Sequence, residues 1–173
     1  MILGLNIRLR ALEPEDLECL YDWENNLEWM RFGDVHLPYG KHLIRDYLER
    51  AHEDFYQVRQ LRLMIDILRP EPRAIGHIDL YDFEPQHMRA AVGLLIADRD
   101  DRGKGYASEA LDCLIQYSKE YLHLHQLHCT VQPWNEISLG LFESRGFSHV
   151  GTLKAWARTT EGYEDLRFLQ KLL

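Results

Sequence analysis

The sequence predicts a mixed α/β layer fold, a mixed central sheet flanked by helices with the element order βααβββαβαββ. Three observations predict it. Hydrophobic periodicity switches between 2 and 3.6 along the chain, the run Ala90 to Ala97 is apolar or glycine throughout, and that run leads through a glycine loop into a long amphipathic helix. With 173 residues, 46% of them hydrophobic, the chain suffices for one domain over 1–173 with a sizeable core.

The elements follow in order. Ile7, Leu9 and Ala11 alternate with Arg8 and Arg10, a half-buried strand. Pro14 opens a helix with Glu15 and Asp16 in its first turn, and Leu17, Leu20 and Tyr21 form its buried stripe. After a loop holding Gly33, Pro38 and Gly40, the spacing of Leu43, Tyr47, Leu48, Ala51 and Phe55 predicts a second helix. Leu61 to Leu68 and Ala74 to Tyr81 read as a hairpin turning at Arg69-Pro70-Glu71-Pro72. In its second strand His77, Asp79 and Tyr81 share one face. The apolar strand at 90–97 is then central and covered on both sides. Beyond the loop, Ala107, Ala110, Leu111, Leu114, Ser118, Tyr121 and Leu122 keep helical spacing. Leu127 to Val131 gives a strand, Asn135 starts a helix that ends at Gly146, and Phe147 to Leu173 gives two strands around Glu161-Gly162.

Composition excludes several functions. Twenty Lys and Arg stand against 28 Asp and Glu, a net charge of −8, and no basic run tracks a phosphate backbone, so nucleic acid is not an expected partner. An acidic surface steers cations instead. Three cysteines, Cys19, Cys113 and Cys129, form no C-x-x-C pair, which fits a reducing cytoplasm. No signal peptide or 18-residue apolar stretch appears, so no membrane association is expected. His123, His125, His128 and Cys129 cluster in sequence but miss zinc-ligand spacing, so no metal is expected.

The loop Arg102-Gly103-Lys104-Gly105-Tyr106-Ala107 lies between a buried strand and a helix N-terminus, where free N–H groups and the helix dipole favour an anion. A plain tight turn would use the same glycines. The Walker string G-x-x-x-x-G-K-[ST] is absent, and the dinucleotide pattern G-x-G-x-x-G fails at Ser108. A second block runs Asn135-Glu136-Ile137-Ser138-Leu139-Gly140-Leu141-Phe142-Glu143-Ser144-Arg145-Gly146-Phe147, and a third comprises Arg8-Leu9-Arg10-Ala11-Leu12, Asp16 and Gly76-His77-Ile78-Asp79-Leu80.

These blocks resemble the GNAT acyltransferase superfamily. The loop is similar to its [QR]-x-x-G-x-[GA], and the second block to its N-x-x-[SA]-x-x-[LV]-[YF]-x-x-x-G-F. The third resembles the branch of ribosomal-protein N-terminal and spermidine acetyltransferases. The order of elements agrees over nearly the whole chain. The resemblance implies an N-acetyltransferase with acetyl-CoA as co-substrate. Its pyrophosphate would lie on Arg102, Gly103, Lys104, Gly105, Tyr106 and Ala107, and its thioester and pantetheine arm would pair with Leu94, Leu95 and Ile96, where a backbone N–H stabilises the oxyanion. Asn135 would touch the arm, although N-capping alone also explains it.

The acceptor implied is a primary amine, either a small cationic amine such as a polyamine or a protein N-terminus, and Glu28, Trp29, Phe32 and His77 are expected to line its site. The two C-terminal strands would build a homodimer. An arriving ammonium must lose a proton to a base or a water chain. Asp79, on the polar face of its strand, is the first candidate, although a salt-bridged structural role is the plain reading of the same residue. Phe142 stands where many members have an acid-supplying Tyr, so the thiolate leaves unassisted, through water, or with Ser138 relaying a proton. The same Phe142 admits a second reading, an acyl-CoA sensor or pseudo-enzyme.

Overall fold

The computed structural model describes residues 1–30, 37–51 and 53–173, with the side chain of Met30 left aside. Its strands are β1 (Ile2–Leu3), β2 (Ile7–Arg10), β3 (Leu61–Ile67), β4 (Arg73–Glu84), β5 (Arg89–Ile96), β6 (Gln126–Val131), β7 (Ser148–Thr159) and β8 (Gly162–Leu172). Its helices are α1 (Leu17–Glu24), α2 (Leu27–Met30), α3 (Lys41–Arg50), α4 (Phe55–Val58), α5 (Tyr106–Glu120) and α6 (Glu136–Ser144). All strands join one sheet in the order β1-β2-β3-β4-β5-β6-β8-β7. Every neighbouring pair is antiparallel except β5 and β6.

One parallel pair demands a crossover, and α5 supplies it. Its buried Ala110, Leu111 and Leu114 belong to the same core as Ile65, Ile78, Leu80, Val92 and Leu127, and Ser118 is buried on the same helix. Fully burying a leucine of this kind contributes about 1.5–3 kcal/mol. The first turn of α5 is tied to the head of β2, because Glu109 Oε1 accepts from the Asn6 N–H at 2.7 Å. On the other face, α1 and α3 enclose a smaller cluster of Leu20, Ile44 and Met64.

The expected mixed sheet and helix order are present, with local differences. A two-residue strand, β1, pairs with β2. A short 3-10 turn, Pro14–Asp16, precedes α1. The helix expected to reach Phe55 ends at Arg50, because Asp54 caps a separate turn, its Oδ1 accepting from the Tyr56 N–H at 2.7 Å.

Candidate active site

One wall of the site is backbone. β5 pairs with β6 only at Arg89, Ala90 and Ala91, whereas β5 runs on to Ile96 and β6 to Val131. Beyond Ala91 the two strands separate, and Val92–Ile96 faces a gap. Gly76 lies opposite Ile96 on β4, and a Cβ there would collide with the Leu95 carbonyl oxygen. The closeness of β4 and β5 at the gap therefore requires glycine.

At the head of the gap, Gly103 (φ +72°) and Gly105 (φ +85°) occupy the left-handed region, and a side chain at either would meet only open space. Among the described residues, the N–H groups of Gly103, Lys104, Gly105, Tyr106 and Ala107 find no acceptor in the loop, and no side chain caps α5. Converging free donors at the positive end of a 15-residue helix suit a pyrophosphate. The loop's base is fixed by Asp101, 3% exposed, which accepts from Arg73 Nη2 at 2.8 Å and lies 3.9 Å from Lys104 Nζ. Asp100 is exposed.

Arg102 departs from its expected place. Its Nε donates to the Ile96 carbonyl at 3.1 Å, its Nη2 to the Ala97 carbonyl at 3.0 Å, and its guanidinium stacks 4.1 Å from the centre of the Trp29 ring. Carbonyls at the end of a strand that has left its neighbour need donors, and Arg102 supplies them. The loop's side-chain cation is accordingly Lys104, with Arg102 bridging to α2.

The opposite wall is a buried network of side chains. Arg62 on β3 pairs across the ladder with Asp79 on β4, Nε to Oδ1 at 2.8 Å and Nη2 to Oδ2 at 2.9 Å. Its Nη1 donates to Glu24 Oε1 of α1 at 2.5 Å, and Tyr47 of α3 lies under the guanidinium. Burial alone would raise the Asp79 pKa, but the charge of Arg62, joined by His77, outweighs it and holds the carboxyl well below its usual range. Burial pushes the Tyr47 phenol up to about 12. His77, 8% exposed, places Nδ1 3.3 Å from Asp79 Oδ2 and faces Leu95 across the ladder.

This arrangement corrects the expectation for Asp79 as base. A carboxylate forked by arginine and held so far ionised accepts a proton from an ammonium poorly. Trp29 stacks on Arg102, and Glu28 is paired, 3.1 Å from Arg99 and 3.5 Å from Arg102, so its carboxylate is not free to attract an amine. Hydrogen bonding from Arg99 lowers its pKa. Phe32 lies outside the described residues. Asn135 caps α6, its Oδ1 accepting from the Ser138 N–H at 3.2 Å, and Ser138 is half-buried at that helix start. Phe142 is 5% exposed and packs edge-on against Phe147 as core. Sequence reasoning missed Arg62 and Arg73. The available signal for Arg62 was a lone cation inside the apolar run Leu61 to Ile65.

The sequence matches the acetyltransferase (GNAT) domain over residues 6–148. The chain belongs to the GNAT acetyltransferases. Among its relatives, spermidine N(1)-acetyltransferase of Escherichia coli K12 is 26% identical over 148 residues, covering 86% of this chain and 76% of that one. The Vibrio cholerae spermidine N(1)-acetyltransferase is 26% identical over 170 residues, covering 93% and 90%. The crystal structure of the Vibrio cholerae enzyme in complex with CoA and spermine superposes with a TM-score of 0.84 at 25% identity, covering 96% of this chain and 95% of that one. As a GNAT acetyltransferase the protein transfers an acetyl group from acetyl-CoA to an amine, and the sensor reading is not favoured. Its open strands and free loop donors fit the co-substrate. Among the described residues, no helix is long and apolar enough to cross a membrane.

Proposed function

We propose that the acceptor is a small cationic amine of the polyamine class. The observation that carries this reading is the charge of the acceptor wall. Among the described residues, two carboxylates, Asp79 and Glu24, pair with one buried guanidinium, Arg62, which leaves one negative charge unbalanced. An unbalanced charge in a site of low dielectric attracts an ammonium far more strongly than one in water. The net charge of −8 steers the same ligand from a distance, and the polyamine acetyltransferases among the relatives support the assignment.

In this reading the backbone of Gly103, Lys104, Gly105, Tyr106 and Ala107 holds the pyrophosphate, and Lys104 adds charge. Leu94, Leu95 and Ile96 pair with the pantetheine arm and present the N–H that steadies the oxyanion. Asn135 caps α6 and borders the arm, and Ser138 relays a proton to the departing thiolate. Trp29 closes the acceptor side above Arg102. Transfer is direct, with no acetyl group held by the enzyme. The place of work is the cytoplasm, where the three free cysteines stay reduced. The β7–β8 hairpin exposes Trp156 (63%) and Tyr163 (70%), and homodimerisation would cover them.

The test is release of CoA from acetyl-CoA by the purified protein against spermidine, spermine, aminoglycosides, amino acids and peptides with free N-termini. Turnover with polyamines at the highest kcat/KM is the expected result. Turnover confined to peptides would replace the acceptor with a protein N-terminus.

A further inference from the structure

We propose that His77 takes the proton from the incoming amine, and that Asp79 acts as the positioning residue that fixes its imidazole. The inference rests on the preceding reading only in placing the amine on this face of the sheet, and the identity of the amine does not enter.

The argument begins with elimination inside the network. Both Asp79 oxygens are committed to Arg62, and the carboxyl stays ionised. Glu24 Oε1 also accepts from Arg62, and the Tyr47 phenol is pushed the wrong way for a base. Among the described residues, the charged group beside the imidazole is Asp79, behind which Arg62 carries Glu24 and Tyr47, while the Trp23 ring of α1 lies 6.4 Å from the imidazole and Tyr81 follows on the same face of β4. β5 contributes only Gly93 and Leu95 at this level. An imidazole is the side chain that ordinarily exchanges a proton near neutral pH.

Geometry places it at the gap. His77 faces Leu95, in the part of β5 that has left β6. One step along the same face Asp79 faces Gly93, over which the Tyr81 ring and the Asp79 side chain pack. Nδ1 is buried 3.3 Å from Asp79 Oδ2, within ion-pair distance but outside hydrogen-bond geometry, and among the described residues it has no hydrogen-bond partner, so a proton there has only the carboxylate to turn toward. With a proton on Nδ1 directed at the carboxylate, Nε2 keeps its lone pair for the substrate. Asp79, held by the guanidinium fork, thus orients the ring and offsets the positive charge it gains.

The step balances. A proton passes from the ammonium nitrogen to Nε2, and the freed lone pair forms the C–N bond to the acetyl carbon. The C–S bond breaks with its electron pair on sulfur, which takes up a proton as CoA leaves. The nitrogen's second proton is lost to water.

Two measurements test this. In the first, nitrogen shifts of the imidazole are read by NMR in wild type and Asp79→Asn, with acetyl-CoA present and no acceptor needed. A ring protonated at Nδ1 in wild type and redistributed in the variant is expected, and a wild-type ring protonated at Nε2 would overturn the proposal. In the second, kcat/KM is followed against pH for His77→Gln with whichever amine turns over best. A loss of about 10²–10⁴-fold near neutral pH is expected, shrinking as pH rises toward the amine's own pKa, with acetyl-CoA affinity within twofold of wild type. A wild-type profile would refute the base. Failure of polyamines as acceptors, by contrast, would strike only the acceptor assignment. If His77→Gln does not fold, the NMR result alone decides.

Discussion

The two walls of the cleft are made of different material. The β5 wall presents backbone: strand N–H and C=O groups that β6 has abandoned, and a loop whose glycines take φ of +72° and +85°. The β4 wall presents side chains, an Arg62–Asp79–Glu24–His77 network shut between α1, α3 and the sheet. A backbone wall suits a co-substrate shared by every member of a family, because substitution of side chains leaves it intact. A side-chain wall can be rewritten for each acceptor.

The largest effect that separates the walls should come from Arg62→Met. Removing the guanidinium leaves Asp79 buried and uncompensated, and a loss of about 3–5 kcal/mol in denaturant unfolding is expected. The pH dependence should also invert. In wild type the Asp79 pKa is depressed, so its contribution is full above the unfolded value near about 3.9 and fades as pH falls toward the folded one. Without Arg62, burial raises that pKa instead, the folded state binds more protons, and the variant should regain stability on acidification. Wild-type stability in this variant would show that the network is not structural.

Gly105→Val tests the other wall. A β-branched residue forced to φ +85° costs about 1–3 kcal/mol, and relief of that strain turns the loop N–H groups out of place, so acetyl-CoA affinity in calorimetry should weaken at least about tenfold. Unchanged affinity would remove the loop from the co-substrate site. Arg102→Ala cuts the link between the end of β5 and α2, and kcat/KM should fall several-fold, about 1 kcal/mol, as the Ile96 and Ala97 carbonyls lose their donors. Ser138→Ala should have the smallest effect, about threefold in kcat for a relay that water can replace.

What was legible in the sequence follows the same division. Glycines at 103 and 105 before an amphipathic helix announce themselves, because few other residues tolerate those backbone angles. The asparagine cap of α6 is visible for a similar local reason. Arg62 and Asp79 stand 17 positions apart, and their meeting depends on the register Arg62↔Asp79, which no local pattern specifies. The low pKa of Asp79 was therefore hidden, and with it the reason that a carboxylate on the right face is a poor base. Arg102 was misplaced because the carbonyls it covers become free only when β5 and β6 part.

That parting has a further consequence for the life of the protein in a crowded solution. An unpaired strand edge is normally a hazard, open to any extended chain that can add itself to the sheet. Here the open edge lies between two internal strands that are held together at residues 89, 90 and 91. A slender ligand can thread such a slit, whereas a neighbouring polypeptide cannot lie along it. An edge so enclosed carries unpaired backbone groups without the usual risk of aggregation.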